Sequence, residues 1–292
     1  MATITAQLVK ELRDRTGAGM MECKNALVES DGDIEKAIDI LRTRGLAAAV
    51  KKEGRETNEG VVIAEVSEDG KLAALAEVNC ETDFVGTNEV FRAFAKQVVD
   101  AVAATDPADV EDLKQKEIDG QKIEDLLVEQ IHKIGENMQI SRFARFESDG
   151  STHMDSYIHA GGKIGVIAEF AAADAETFST DAFKEMAHDV VMHIAATAPL
   201  EVSREDVAAD VVEHELSIYK AQAAESGKPE NIQEKMAEGR LEKFYKQSVL
   251  LEQEFVKDPS QAVKDIVSAA SKAAGDEISV VRFERFVLGE EF

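Results

Sequence analysis

Apolar residues first recur at helical spacing and then change to short alternating runs, so helices open the chain and strands follow. Thr5 can cap a helix carrying Leu8, Val9 and Leu12, which Thr16-Gly17 stops. Gly19 precedes a second pattern, Met20–Glu29, with Ala26 and Leu27 inward. Asp31-Gly32-Asp33 supplies a turn and cap for a third, where Ile34, Ala37, Ile38 and Leu41 follow the i, i+3, i+4, i+7 stripe and Gly45 ends it. Three short helices with narrow apolar stripes make a small bundle suited to docking on something else. Met20 and Met21 are open to two readings: at least one fills the bundle's core, or the pair forms an adaptable contact surface. Residues 46–54, with Lys51-Lys52, read as a helical or flexible linker, so 1–54 is taken as the first domain.

From residue 55 the chain repeats itself. Gly70-Lys71-Leu72-Ala73-Ala74-Leu75-Ala76-Glu77-Val78 matches Gly162-Lys163-Ile164-Gly165-Val166-Ile167-Ala168-Glu169-Phe170 at an offset of 92. The same offset carries Ala95, Val98, Val99 and Thr105 onto Ala187, Val190, Val191 and Thr197, and Arg142-Phe143-Ala144-Arg145-Phe146 recurs as Arg282-Phe283-Glu284-Arg285-Phe286. Each copy reads as a hairpin (residues 61–66 with 72–78; 156–159 with 164–170), then helices, then a returning strand (138–146; 278–287). The expected class is α+β: a helical head, then a duplicated unit of sheet with helices on one face. The copies span 55–150 and, interrupted, 151–202 with 258–292. In the interruption, 203–257, Ser203-Arg204-Glu205-Asp206 is a capping-box opening for a helix with Val207, Val211, His214 and Ile218 on one stripe. After Ser226-Gly227-Lys228-Pro229 a second helix runs back with Ile232, Met236, Leu241, Phe244 and Tyr245. Such an antiparallel helical (coiled-coil) hairpin either packs on the body or projects to meet a partner or a second copy of the chain as a homodimer.

The stretch Asn79-Cys80-Glu81-Thr82-Asp83-Phe84-Val85-Gly86-Thr87-Asn88 joins the first copy's hairpin to a helix over about residues 90–104. Such connections are short and polar as a rule, yet Phe84 stands beside Asp83. One reading folds Phe84 into the core and lets Asp83 cap the helix. The chain's own second copy favours another. Cys80 to Val85 aligns with Ala172 to Thr177, which puts Glu176 where Phe84 stands, so the unit closes its core without that ring. Asp83 and Phe84 are expected to project for function. The second copy's turn, His159-Ala160-Gly161-Gly162, is tipped with a histidine that is solvated surface unless a partner meets it.

Composition narrows the function classes. Hydrophobic content of 44% and charged content of 31% describe a folded globular chain. No apolar run nears the roughly 18 residues that span a bilayer, and the charged N-terminus is not a signal peptide. Two cysteines, Cys23 and Cys80, make neither a disulfide framework nor a zinc set, which suits a reducing cytoplasm. Residues 1–54 hold nine basic and nine acidic side chains, so the whole net charge of -25 lies beyond them. An acidic body repels phosphate backbones, and the expected partner is a protein rather than nucleic acid. No phosphate loop of the Gly-x-x-x-x-Gly-Lys-Ser/Thr kind exists, and His188 and His193 do not share a helix face as metal ligands would. Cys80, near no histidine in sequence, reads as a small buried residue rather than a nucleophile. No covalent catalysis, metal or cofactor is expected.

The chain resembles bacterial translation elongation factor Ts. The similarity covers Arg15-Thr16-Gly17-Ala18-Gly19-Met20-Met21-Glu22-Cys23-Lys24, Asn79-Cys80-Glu81-Thr82-Asp83-Phe84-Val85, Ser226-Gly227-Lys228-Pro229 and Glu234-Lys235-Met236-Ala237-Glu238-Gly239-Arg240. The resemblance implies a guanine-nucleotide exchange factor for elongation factor Tu, with a head of the ubiquitin-associated type. It implies that Thr82, Asp83, Phe84 and Val85 disturb the GTPase's magnesium site and that His159 is the histidine of the second copy's turn. Gly86-Thr87-Asn88 departs from the more basic continuation common after the motif.

Overall fold

The structure, a computed structural model, describes residues 3–290. Three helices come first: α1 (Ala6–Thr16), α2 (Met20–Glu29) and α3 (Ile34–Val50). The Thr5 hydroxyl accepts the Leu8 N–H at 3.2 Å, and Gly17 ends α1 in the left-handed region at φ 65°. Leu12, Cys23, Ala26, Leu27 and Ala37 are buried together between the helices. Met20 and Met21 are 57% and 64% exposed, so neither fills that core. The buried stripe of α2 is Cys23, Ala26 and Leu27, and its first turn lies beyond them. Gly45 does not end α3, contrary to expectation. It is buried against the helix Ile123–Ile134, beside Val128 and His132. That packing carries α3 through at a propensity cost of about 1 kcal/mol.

Next come β1 (Glu59–Val66) and β2 (Leu72–Cys80), an antiparallel hairpin. α4 (Asp83–Gly86), α5 (Glu89–Thr105), α6 (Val110–Gln115), β3 (Glu117–Ile118), β4 (Gln121–Lys122) and α7 (Ile123–Ile134) follow, and β5 (Met138–Glu147) returns beside β2. The later part runs β6 (Thr152–His159), β7 (Ile164–Ala172), a 3-10 turn (Ala175–Ser179) and α8 (Asp181–Thr197). After α9 (Ala209–Ala224) and α10 (Glu230–Ser248) come β8 (Glu254–Phe255), β9 (Asp258–Ala262), α11 (Val263–Ala274) and β10 (Ile278–Val287), which pairs with β7. Both main sheets are three-stranded and antiparallel, with the hairpin's second strand in the centre. The short ribbons β3-β4 and β8-β9 each lead into the helix before the returning strand.

Alternation along the strands sorts their side chains into two layers. Ala74, Ala76 and Val78 pack with Phe91, Phe94, Val98 and Val99 of α5, and Val166, Ala168 and Phe170 pack with Phe183, Val190 and Ile194 of α8. On the opposite faces Val62, Ala73, Leu75 and Phe146 meet Met154, Ile167 and Phe286. Helices therefore cover one face of each sheet, and the bare faces cover each other. This explains why β2 is buried along almost its whole length.

Reciprocal arginines clasp the two sheets. Arg142 lies over the Phe286 ring at 4.4 Å and Arg282 over the Phe146 ring at 4.1 Å, residues equivalent in the sequence repeat. Each arginine Nε also donates to a glutamate of its own central strand, Arg142 to Glu77 at 2.8 Å and Arg282 to Glu169 at 2.5 Å. Those carboxylates are 1% and 6% exposed, so each buried acceptor has a guanidinium partner in place of water.

The capping box at Ser203 closes locally. Ser203 N and Oγ both donate to Asp206 Oδ2, at 2.9 and 2.7 Å, but the turn they complete is only Arg204–Asp206. Val207 is extended and buried, and α9 starts after it, at Ala209. α9 and α10 pack along each other across the turn at 225–229, with Ala223 and Ala237 buried. No helix among the described residues is long and apolar enough to cross a membrane.

Candidate partner-binding site

Strand β2 runs on to Cys80, whose side chain is buried and donates to the Thr82 carbonyl at 3.2 Å. Burial, with the Glu136 charge adding to it, pushes the Cys80 thiol up to about 12. A thiol held protonated in this way is no nucleophile at neutral pH. The chain then turns sharply into α4. Thr82, at φ -126°, caps this single turn by accepting the Val85 N–H at 3.4 Å, so the cap is Thr82 and not Asp83. Thr87 N–H bonds the Asp83 carbonyl at 3.1 Å and Asn88 N–H the Val85 carbonyl at 2.9 Å. Asn88 in turn caps α5 by accepting from Val90 N–H at 2.8 Å.

Glu136 clamps the start of this turn. One carboxylate oxygen accepts the Glu81 and Thr82 N–H groups at 3.1 and 3.0 Å, and the other accepts the Thr82 hydroxyl at 2.7 Å. Charged acceptors make the stronger hydrogen bonds. The underside is closed by Val85, which is buried, and by Gly86, which lies on β1. A Cβ added to Gly86 would stand 2.9 Å from the Gly60 carbonyl oxygen, so the close approach requires glycine.

On this fixed base Asp83 is exposed and Phe84 is 82% exposed. Leaving a phenylalanine in water forgoes roughly 1.5–3 kcal/mol of burial. The equivalent turn at Ala175–Ser179 has the same arrangement with different chemistry. Asp276 accepts the Asp174 N–H at 2.9 Å and the Thr177 hydroxyl at 2.8 Å, and these bonds hold its carboxyl below the usual carboxylate range. Thr177 is buried at the position of Val85, and Glu176 is exposed at that of Phe84. Both halves thus keep this position outside their cores, and only one half puts an aromatic ring there.

His159 ends β6 and is exposed, its Nδ1 lying 3.1 Å from the Tyr157 hydroxyl. Its turn is seated on the beginning of β1: the Val62 N–H donates to the Gly162 carbonyl at 2.7 Å, and Lys163 pairs with Glu59. Because Gly86 rests on Gly60, the start of β1 underlies both the Phe84 turn and the His159 turn. Met20 and Met21 are not part of that edge; they sit on α2 of the head. Glu136 escaped the sequence reading, although Gly135-Glu136 recurring as Gly275-Asp276 was a signal for it. No group of three His, Cys, Asp or Glu among the described residues is placed to hold a metal ion.

Known proteins resemble this chain along nearly its whole length. Residues 81–290 match the family model described as Elongation factor TS. Elongation factor Ts of Trichlorobacter lovleyi is 49% identical over 290 residues, which is 98% of this chain and 93% of that protein. That of Clostridium perfringens strain SM101 is 48% identical, again across 98% and 93%. That of Desulfovibrio desulfuricans is 43% identical across 100% of both chains. With the family model matching well over half of the chain and the similarity to these relatives running nearly end to end, the chain belongs to the elongation factor Ts family.

Proposed function

We infer that this chain is the guanine-nucleotide exchange factor for the translational GTPase elongation factor Tu, acting in the cytoplasm during translation elongation. The reading is supported above all by Phe84, an exposed aromatic ring on a turn that Glu136, Val85 and Gly86 hold in place. On this reading Phe84 wedges between elements of the GTPase, and Asp83 perturbs the hydrogen bonding around its magnesium ion. Magnesium demands near-octahedral oxygen ligation, so a small displacement of its surroundings weakens nucleotide binding. The factor itself needs no cofactor and forms no covalent bond. It binds better to the GTPase that has lost its nucleotide, and linkage makes factor and nucleotide weaken each other reciprocally.

Magnitudes require several contacts. Burying Phe84 on the partner yields about 1.5–3 kcal/mol, roughly one to two powers of ten. Shifting a population from 1:99 to 99:1 takes about 5.5 kcal/mol. Met20 and Met21 of the head, and His159 of the second core copy, supply the further contacts. The organisation that goes with this is a ubiquitin-associated-type head and linker (1–54), two core copies (55–150; 151–202 with 258–292) and a projecting coiled-coil hairpin (203–257). The hairpin is available to a second copy of the chain.

Release of labelled GDP from elongation factor Tu tests the proposal. The chain at micromolar concentration is expected to accelerate release by orders of magnitude. Binding without acceleration would make it a passive scaffold and refute the exchange function.

A further inference from the structure

We propose that Arg92 is a positioning residue that ties the Phe84 turn to the His159 turn, so that the two contacts reach the partner as one rigid unit. The proposal rests on the exchange reading for its purpose and on geometry for its content. Arg92 lies in the first turn of α5 and is half-buried. Its Nε donates to the Gly86 carbonyl, the end of the Phe84 turn, at 3.1 Å. Its Nη2 donates to the Gly161 carbonyl, in the His159 turn, at 2.6 Å. One planar guanidinium thus spans segments 75 residues apart, from Gly86 to Gly161.

Both acceptors are backbone carbonyls, and among the described residues no carboxylate lies within ion-pair distance of Arg92. A surface ion pair has many acceptable geometries, whereas a forked donor between two carbonyls has few. Lysine, a point charge with rotatable donors, does not reproduce this. The two turns also share the floor of β1, where Gly86 meets Gly60 and Gly162 meets Val61. β1 thus contacts both turns, and Arg92 bonds them to each other. Ordering two mobile contacts at the moment of binding costs affinity, and a preformed spacing avoids that cost.

Three variants of the full chain test the tie: Arg92→Ala, Arg92→Lys and Arg92→Gln, the last keeping a donor for one carbonyl. The first readout, hydrogen exchange in the free protein, does not depend on function. Arg92→Ala is expected to speed exchange at least fivefold at Thr87 and Asn88, and also at Gly162 and Lys163, with the melting temperature nearly unchanged. The second readout is a double-mutant cycle of Phe84→Ala and His159→Ala in stimulated GDP release. With Arg92 present the double variant is expected to depart from additivity at least fivefold; with Arg92→Ala the two are expected to add within twofold. Unchanged protection at either turn, or the same non-additivity without Arg92, overturns the proposal. If Arg92→Ala does not fold, Arg92→Gln carries the same two readouts. A wild-type chain that fails to release GDP would refute the exchange reading while the hydrogen-exchange result still decides the tie.

Discussion

Replacing Glu136 by alanine removes the clamp without touching Asp83 or Phe84. Three donors lose their acceptor at once: the Glu81 N–H, the Thr82 N–H and the Thr82 hydroxyl. Hydrogen bonds to charged groups contribute about 1.5–3 kcal/mol each, but this site is only partly buried, and water reaches the freed groups. A local loss of about 2–4 kcal/mol is therefore reasonable. The opening equilibrium of the turn then rises by roughly 30- to 1,000-fold. The Thr87 and Asn88 amides, bonded inside the turn, should exchange faster by a comparable factor when measured by NMR. Stimulated GDP release should fall in proportion to the closed population lost, because only the closed turn presents Phe84 correctly. Glu136→Gln serves as the control. Its amide oxygen can accept both backbone N–H groups while its NH2 donates to Thr82 Oγ1, so most of the protection should return. Thr87 and Asn88 amides as protected in Glu136→Ala as in the parent chain would rule out the clamp.

Phe84→Ala should slow stimulated GDP release by roughly 10- to 100-fold, leave a complex detectable by calorimetry, and leave the melting temperature unchanged because the ring is exposed. Release at the parent rate would remove the wedge. His159→Ala should weaken association with elongation factor Tu severalfold without altering stability, and an unchanged affinity would return that histidine to solvated surface. Arg142→Ala takes the cation from the buried Glu77, leaving it only the Asn79 and Gly289 donors, and should cost about 3–5 kcal/mol in denaturant unfolding; a loss below about 1 kcal/mol, well under that estimate, would contradict the clasp. His193 is buried, with Nε2 3.0 Å from Gln253 Oε1 and Nδ1 accepting the Val256 N–H at 3.2 Å, and burial holds its pKa below the ordinary histidine value. Below about pH 6.5 the unfolded chain takes up a proton that the folded chain resists, so stability falls with pH by up to about 1.4 kcal/mol per unit for this group. NMR should show its ring still neutral below pH 6.5, and protonation at the ordinary pH would refute the account.

Local patterns carried much of the architecture. The hairpins and returning strands followed from alternation, and the exposure of Phe84 followed from Glu176 in its twin. What escaped was non-local or very short. Glu136 lies 54 residues beyond Thr82, so only the fold brings them together. Gly45 carries a local stop signal that packing against α7 overrides. Ser203-Arg204-Glu205-Asp206 has the capping pattern, but burial of Val207 pulls the chain out of helix before it propagates. Two-residue strands such as Glu117–Ile118 are too brief for any periodicity. The contact between the sheets was hidden because a strand buried on both faces reads the same whichever layer covers it.

The arginine clasp has a consequence for biogenesis. Arg142 and Glu77 are synthesised well before the Phe286 ring that covers Arg142 and the Val287 carbonyl and Gly289 N–H that complete the network, Val287 lying 145 residues beyond Arg142. Until β6, β7 and β10 have emerged from the ribosome, the first sheet lacks the full cover for its apolar face with Val62, Leu75 and Phe146 on it. Over that interval the nascent chain presents an apolar sheet face to aggregation and chaperone capture. β10, which sets Phe286 over Arg142, completes the contact between the two sheets.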